Sequence, residues 1–179
     1  MEHVNNLISK LPDSAKDIRL GLQGVLTPEG SQGLDNTQIW GTALAAAMTV
    51  RHKGLLKAVR ADAAAHLDET GVKAAETAAT LMGATNVYYR TTYSHMKDDT
   101  YKTMPAGIRM NASKAHGHDA MNYELFALGA SVVGNCASCI NAHDKQVKDH
   151  GISREAVQSI VRIASYFNAV AIALDAMEN

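Results

Sequence analysis

The chain has little cysteine, proline or aromatic residue: among its 179 residues are two cysteines, three prolines, two phenylalanines and one tryptophan. Two cysteines cannot build the disulfide framework of a small secreted domain, so a reducing cytoplasm is the expected compartment. An excess of charge of one sign is missing as well, with a formal net charge of −1. No Lys/Arg stripe with interleaved aromatics stands out, which argues against nucleic acid as a partner. No apolar stretch approaches the ~20 residues of a membrane span. The opening MEHVNNLISKLPDSAKD has no basic segment followed by an apolar run, so no secretion signal is expected. Period-two alternation long enough for a strand is also lacking. These absences leave an all-α fold, and the length fits a single domain over residues 1–179.

What is present is helix-forming sequence, rich in Ala, Leu, Met, Lys and Glu, punctuated by Pro12, Pro28 and Pro105. Ile18, Leu22, Val25 and Leu26 form an apolar stripe that stops before Pro28. A loop, TPEGSQGLDN, follows; Asp35 or Asn36 can cap the next helix, TQIWGTALAAAMTV, which places Trp40 in the core. Further helices are expected from about Leu55 to Leu67 and from Thr70 to roughly Tyr93, with Tyr88, Tyr89 and Tyr93 read as packing or interface residues. The polar stretch from Ser94 to Asp119 reads as a long connection with one short helix around Met104–Met110, and its KDDTYK run as solvated surface. Helical periodicity returns from Asp119 to Val133 and from Cys136 to about His150; Gly151 ends that element and Ser153 opens the last helix. A fixed offset pairs Ala45 with Ala127, Val50 with Val132, Asp62 with Asp144 and Ala74 with Ala156, which leaves two degenerate helical repeats open. At that offset Gly54, Lys57 and Ala61 stand opposite Cys136, Cys139 and His143, so a first copy would lack their chemistry.

Both cysteines lie in GNCASCINAH. On a helix starting near Cys136, the side chains of Cys136, Cys139 and His143 share one face. The partial positive charge of a helix start favours thiolate over thiol, which by itself singles out Cys136. His143 sits one turn from Cys139 and two from Cys136, which singles out Cys139 as the thiol it serves. If Gly134 and Asn135 turn the chain into an antiparallel hairpin, Glu124 comes within roughly 3 Å of the height of His143. A carboxylate there would fix the imidazole tautomer and raise its basicity. A charged residue on so apolar a helix is costly unless paired. Two other readings stand beside a redox pair. Each cysteine alone is an ordinary small hydrophobe. CxxC is also half of many zinc sites, but there is no second CxxC, His150 is poorly spaced to complete one, and His116 and His118 read as loop residues.

The stretch NYELFALGASVVGNCASCINAH, with a glutamate twelve positions before a CxxC and a histidine four beyond it, resembles the AhpD family of alkyl hydroperoxide reductases, within the carboxymuconolactone decarboxylase-like superfamily. LPDSAKDIRL, LDNTQIWGTALAAA and GIRMN are similar too, so the likeness spans nearly the whole chain. It implies an all-helical, homotrimeric two-cysteine peroxidase with no bound cofactor and no metal. In that pattern Cys139 is oxidised by an organic hydroperoxide to a sulfenic acid. Cys136 acts as proton donor, resolves the sulfenic acid into a disulfide with Cys139 and also links to the partner, while Glu124 and His143 relay protons. The reductant implied is dihydrolipoamide on a lipoylated 2-oxoacid dehydrogenase component, and the protein partner is the peroxiredoxin AhpC. Two features depart from the pattern: Ser138 stands where one branch has a histidine, and ASKAHGHD replaces a more apolar, proline-containing segment. A redox adaptor with little peroxide chemistry of its own is the second reading. Lactone decarboxylation, which makes no use of CxxC, ranks last.

Overall fold

Two helices that are apolar all round form the centre, as helices without a polar face must. They are α3 (Asn36–Val50) and α7 (Ala120–Val133), packed on each other. In chain order the other helices are α1 (Glu2–Ile8), α2 (Lys16–Val25), α4 (Lys53–Ala63), α5 (Glu69–Arg90), α6 (Thr100–Thr103), α8 (Ala137–Asp149) and α9 (Arg154–Asp175). This computed structural model describes residues 1–177, and among them there is no strand, so the fold is all-α. Close approach of the central pair depends on Gly41: a Cβ there would lie 2.0 Å from the ring of Phe126. A larger residue at that point would overpack a core of Trp40, Leu44, Phe126, Leu128, Ile160 and Phe167, all 2% exposed or less.

Helix starts follow local capping chemistry. Asp35 and Gln38 form a reciprocal capping box on α3, while Asp68, Asp119 and Ser153 accept backbone N–H bonds at the starts of α5, α7 and α9. The fourth helix begins earlier than expected, at Lys53, because His52 caps it through Nδ1, accepting from the N–H of Leu55 at 3.0 Å; it also ends earlier, at Ala63. No helix covers 104–110. Met104 is held extended (ψ 144°) before Pro105, and Gly107 takes φ +65°. The short helical turns lie on either side instead, in α6 and at Asn111–Lys114. A wide π-type turn, Thr91–His95, prolongs α5. Of the described helices, α9 alone is long and apolar enough to cross a membrane by length and composition. Its apolar face, including Ile160, Ile163, Phe167 and Val170, is buried in the core.

The order and length of the elements repeat. Helices of 15, 11 and 22 residues (α3, α4, α5) are followed by helices of 14, 13 and 22 (α7, α8, α9). Each central helix packs on both long ones. The halves differ in what covers their middle helix: α1 lies on α4, an element the sequence did not announce. Its start is capped from afar by Asp62 of α4, which accepts from the N–H of Val4 at 2.8 Å and of His3 at 3.1 Å, with the His3 ring at 3.0 Å. Burial works to raise the Asp62 pKa, but these bonds and the nearby terminal ammonium outweigh it and hold the carboxyl below its ordinary 3.8. A depressed folded-state pKa stabilises the fold above the carboxylate range, and that contribution is lost as pH falls through the lowered value. Asp62→Ala is therefore expected to lower unfolding free energy by about 1–3 kcal/mol near neutrality. In urea titrations run at decreasing pH, the gap from wild type should close below about 3.8. A gap that persisted in acid would place its origin elsewhere.

Candidate functional site

The site is assembled where α8 leaves the end of α7. Gly134 lies against Asn86 of α5 so closely that a Cβ would meet its Nδ2 at 2.2 Å, and Asn135 takes the left-handed φ of 50° that asparagine tolerates. Asn86 is 3% exposed; its Nδ2 donates to the Ala130 carbonyl and its Oδ1 accepts from the Ser131 hydroxyl. Arg90 donates from Nη1 to the Gly134 carbonyl at 2.8 Å. These three bonds fix the turn, and with it the first residue of the CxxC. Asn86 and Arg90, one turn apart on α5, were not among the site residues read from the sequence; on a helix whose buried face also carries Met82 and Thr85, nothing in the pattern sets them apart.

Cys136 is the N-cap of α8, accepting at Sγ from the N–H of Cys139 at 3.4 Å. The two cysteines are joined as a disulfide, with Cα atoms 5.3 Å apart. Their surroundings differ. Cys136 is completely buried, whereas Cys139, 7% exposed, lines a cavity of about 420 Å³, a volume typical of ligand pockets. His143 and Ser138 line the same cavity, and Met82, Tyr89, Tyr93 and Met110 make its apolar wall. Tyr89 and Tyr93, expected to serve packing or an interface, thus stand beside the cysteine pair, with Tyr88, Tyr89 and Tyr93 in a series of edge-to-face contacts.

The hairpin does bring Glu124 to His143: Oε2 and Nδ1 are 2.7 Å apart. An acceptor-only carboxylate requires the ring to donate from Nδ1. Nε2 points to the Met82 sulfur at 3.2 Å. Both ring nitrogens are thereby engaged away from the sulfurs, which differs from the direct service of Cys139 that helical spacing suggests. Spacing along α8 sets which face His143 occupies, and packing of α5 sets where its ring turns. Next to Glu124, the buried Tyr123 phenol is pushed up to about 12 by its burial and by the Glu124 charge, so it stays neutral near neutral pH.

Among the described residues no group of three His, Cys, Asp or Glu side chains is placed to hold a metal ion. His116 stacks on Tyr123 at 4.7 Å, and burial foremost holds its pKa below the ordinary histidine value. His118 stacks on Phe126, with Nδ1 3.2 Å from the Thr70 hydroxyl. His150 has Nδ1 2.8 Å from the Gln146 carbonyl. None of the three lines the cavity beside the cysteines.

Comparison with known proteins bears directly on this site. Residues 101–178 match the Carboxymuconolactone decarboxylase family. The chain is 43% identical over 173 residues to alkyl hydroperoxide reductase AhpD of Rhodospirillum centenum, covering 97% of this chain and 91% of the relative. The chain belongs to the AhpD family. Other AhpD proteins, from Frankia alni and Coxiella burnetii, are each 39% identical; the first alignment covers 98% of this chain and 92% of the relative, the second 90% and 91%. The AhpD likeness therefore takes in the first half of the chain as well as the half that carries the cysteines. That first half supplies Met82, Thr85, Tyr89 and Tyr93 to the cavity.

Proposed function

We propose that the chain is a thiol peroxidase that reduces organic hydroperoxides through a Cys136/Cys139 dithiol–disulfide cycle. One observation carries the reading. Cys139 faces an apolar cavity that it shares with a carboxylate-bound histidine, and Cys136 is bonded to it from the buried side. In the reduced state the Cys139 thiolate attacks the outer oxygen of the hydroperoxide. An S–O bond forms, the O–O bond breaks, and the departing alkoxide takes a proton from His143 to leave as an alcohol. Glu124 holds the imidazole in the donating orientation through its 2.7 Å contact with Nδ1. Cys136 then attacks the sulfenic sulfur, the disulfide forms, and hydroxide leaves as water after gaining a proton. Near-complete burial of the pair keeps bulk solvent from the intermediate, and the apolar wall suits the alkyl part of the substrate better than it suits hydrogen peroxide.

The cycle closes with dihydrolipoamide as reducing co-substrate, carried on a lipoylated 2-oxoacid dehydrogenase component, and with AhpC as the peroxiredoxin partner. Neither needs a cofactor bound to this chain. In the disulfide state an incoming thiolate meets Cys139 before the enclosed Cys136, which favours Cys139 over Cys136 as the first link to a partner. A homotrimer in the cytoplasm is the assembly and compartment that go with this reading. Thiol titration before and after one equivalent of cumene hydroperoxide tests it. Loss of both thiols with one internal disulfide is the expected result, and retention of both would reject the cycle.

The commitment of His143 Nε2 to Met82 favours a second reading, in which the chain chiefly passes electrons to the peroxiredoxin. Ser138, in the place of a histidine, leans the same way. Hydroperoxide consumption with dihydrolipoamide, with and without AhpC, separates the two: the first reading requires substantial turnover without it.

A further inference from the structure

The two sulfurs sit in surroundings of opposite electrostatic sense. Two hydrogen-bond donors are aimed at the fully buried Cys136 Sγ, the N–H of Cys139 at 3.4 Å and the Ser138 hydroxyl at 3.4 Å. A disulfide sulfur carries no hydrogen, so the hydroxyl is the donor of that second bond. Cys139 Sγ instead lies 4.0 Å from the carbonyl oxygen of Thr85 and borders the cavity. Donors attract a negative sulfur, and a carbonyl oxygen repels one. The backbone donor would come with any cysteine at a helix N-cap. The hydroxyl comes from the Ser138 side chain at the cavity's edge, and it meets a sulfur that is itself fully buried, where each donor counts for more.

We infer that Ser138 is a catalytic residue of the thiol–disulfide cycle: its hydroxyl, together with the Cys139 N–H, holds the negative charge that Cys136 Sγ carries each time the disulfide opens. This rests on the redox cycle proposed above and adds its polarity, with Cys139 the sulfur attacked and Cys136 the sulfur that leaves. A dithiol reductant enters as the thiolate and bonds to Cys139 Sγ; the Cys136–Cys139 bond breaks and its electron pair departs on Cys136 Sγ, where Ser138 receives it. The reductant's second thiol loses its proton and attacks its own first sulfur, closing a cyclic disulfide and releasing Cys139 as thiolate. Two electrons pass from the dithiol to the protein, and the two protons of the dithiol go to solvent or to the released thiolates. In the oxidative direction the same supported charge on Cys136 makes it the nucleophile toward the Cys139 sulfenic acid. A serine at this position is thus suited to the resolving and reductive steps, a different task from proton delivery to peroxide.

The test equilibrates the full chain over a series of reduced-to-oxidised lipoamide ratios at neutral pH, alkylates free thiols and reads the disulfide fraction by mass. Losing the hydroxyl in Ser138→Ala destabilises the reduced form, so the midpoint should move about tenfold toward more reducing ratios, ~30 mV more negative. Ser138→Thr, which keeps a hydroxyl, should stay near wild type. A monothiol allowed to react with the oxidised chain should be found on Cys139. An unmoved midpoint in Ser138→Ala, or an adduct on Cys136, overturns the inference while leaving the redox cycle in place. A wild-type disulfide that opens at no ratio overturns the cycle and the inference with it.

Discussion

Cys139→Ser is expected to abolish hydroperoxide turnover, a fall of about 10³-fold or more, as removal of a reacting nucleophile commonly gives. A serine hydroxyl is a poor nucleophile at neutral pH, and its oxygen cannot be oxidised and re-reduced as sulfur can. The contrast with Cys136→Ser makes the experiment decisive. That variant keeps the sulfur that borders the cavity and loses the one behind it. It should consume about one equivalent of peroxide, form a sulfenic acid that dimedone traps at Cys139, and then stall. Stopped-flow peroxide consumption, with the adduct mapped by peptide mass, reads both variants. Undiminished turnover in Cys139→Ser, or a trapped sulfenic acid on Cys136 in wild type, would end the proposed assignment of roles.

The second large effect is expected from Glu124→Gln. The amide is nearly the same shape as the carboxylate and can still meet His143 Nδ1 across the 2.7 Å contact, so the helical hairpin should fold as before. What disappears is the negative charge that faces the ring at Nδ1. The amide can also present its NH₂ group to Nδ1 and stabilise the opposite tautomer. Loss of a positioned acid–base pair typically costs 10²–10⁴-fold, and because His143 itself remains, a drop of about 10²-fold is expected. Far-UV circular dichroism and the thermal midpoint should stay close to wild type, which separates a chemical effect from a structural one. A wild-type rate would remove Glu124 from the relay.

Legibility of this molecule from its sequence followed the range of the interactions involved. Helices whose caps sit beside them could be read directly: Asp35, Asp119 and Ser153 each bond within the first turn they precede. Helix α1 could not, because its cap is Asp62, distant in the chain and adjacent only after folding. The Glu124–His143 pair was within reach because a hairpin relates heights on two neighbouring helices by simple counting. Met82 was not, since nothing in the spacing of α8 says which way the His143 ring turns or what α5 presents to it. The cavity was hidden for a related reason. Tyr89 and Tyr93 carry the pattern of ordinary packing residues, and Met110 reaches the same space from a loop whose course Pro105 and Gly107 bend away from helix.

The repeated succession of three helices bears on how portable the chemistry is. The half that matches the family pattern, residues 101–178, owns Glu124, both sulfurs and the imidazole, yet it cannot be excised as a working unit. Its central helix, α7, is shielded by α3 and α5 from the other half, and without them Leu125, Phe126 and Leu128 would be bared to water. Such a fragment would have to find a second copy of itself to stand in for the missing half. The first half, bare of reactive groups on its own middle helix, therefore serves as a built-in companion that spares the second from dimerising merely to stay folded.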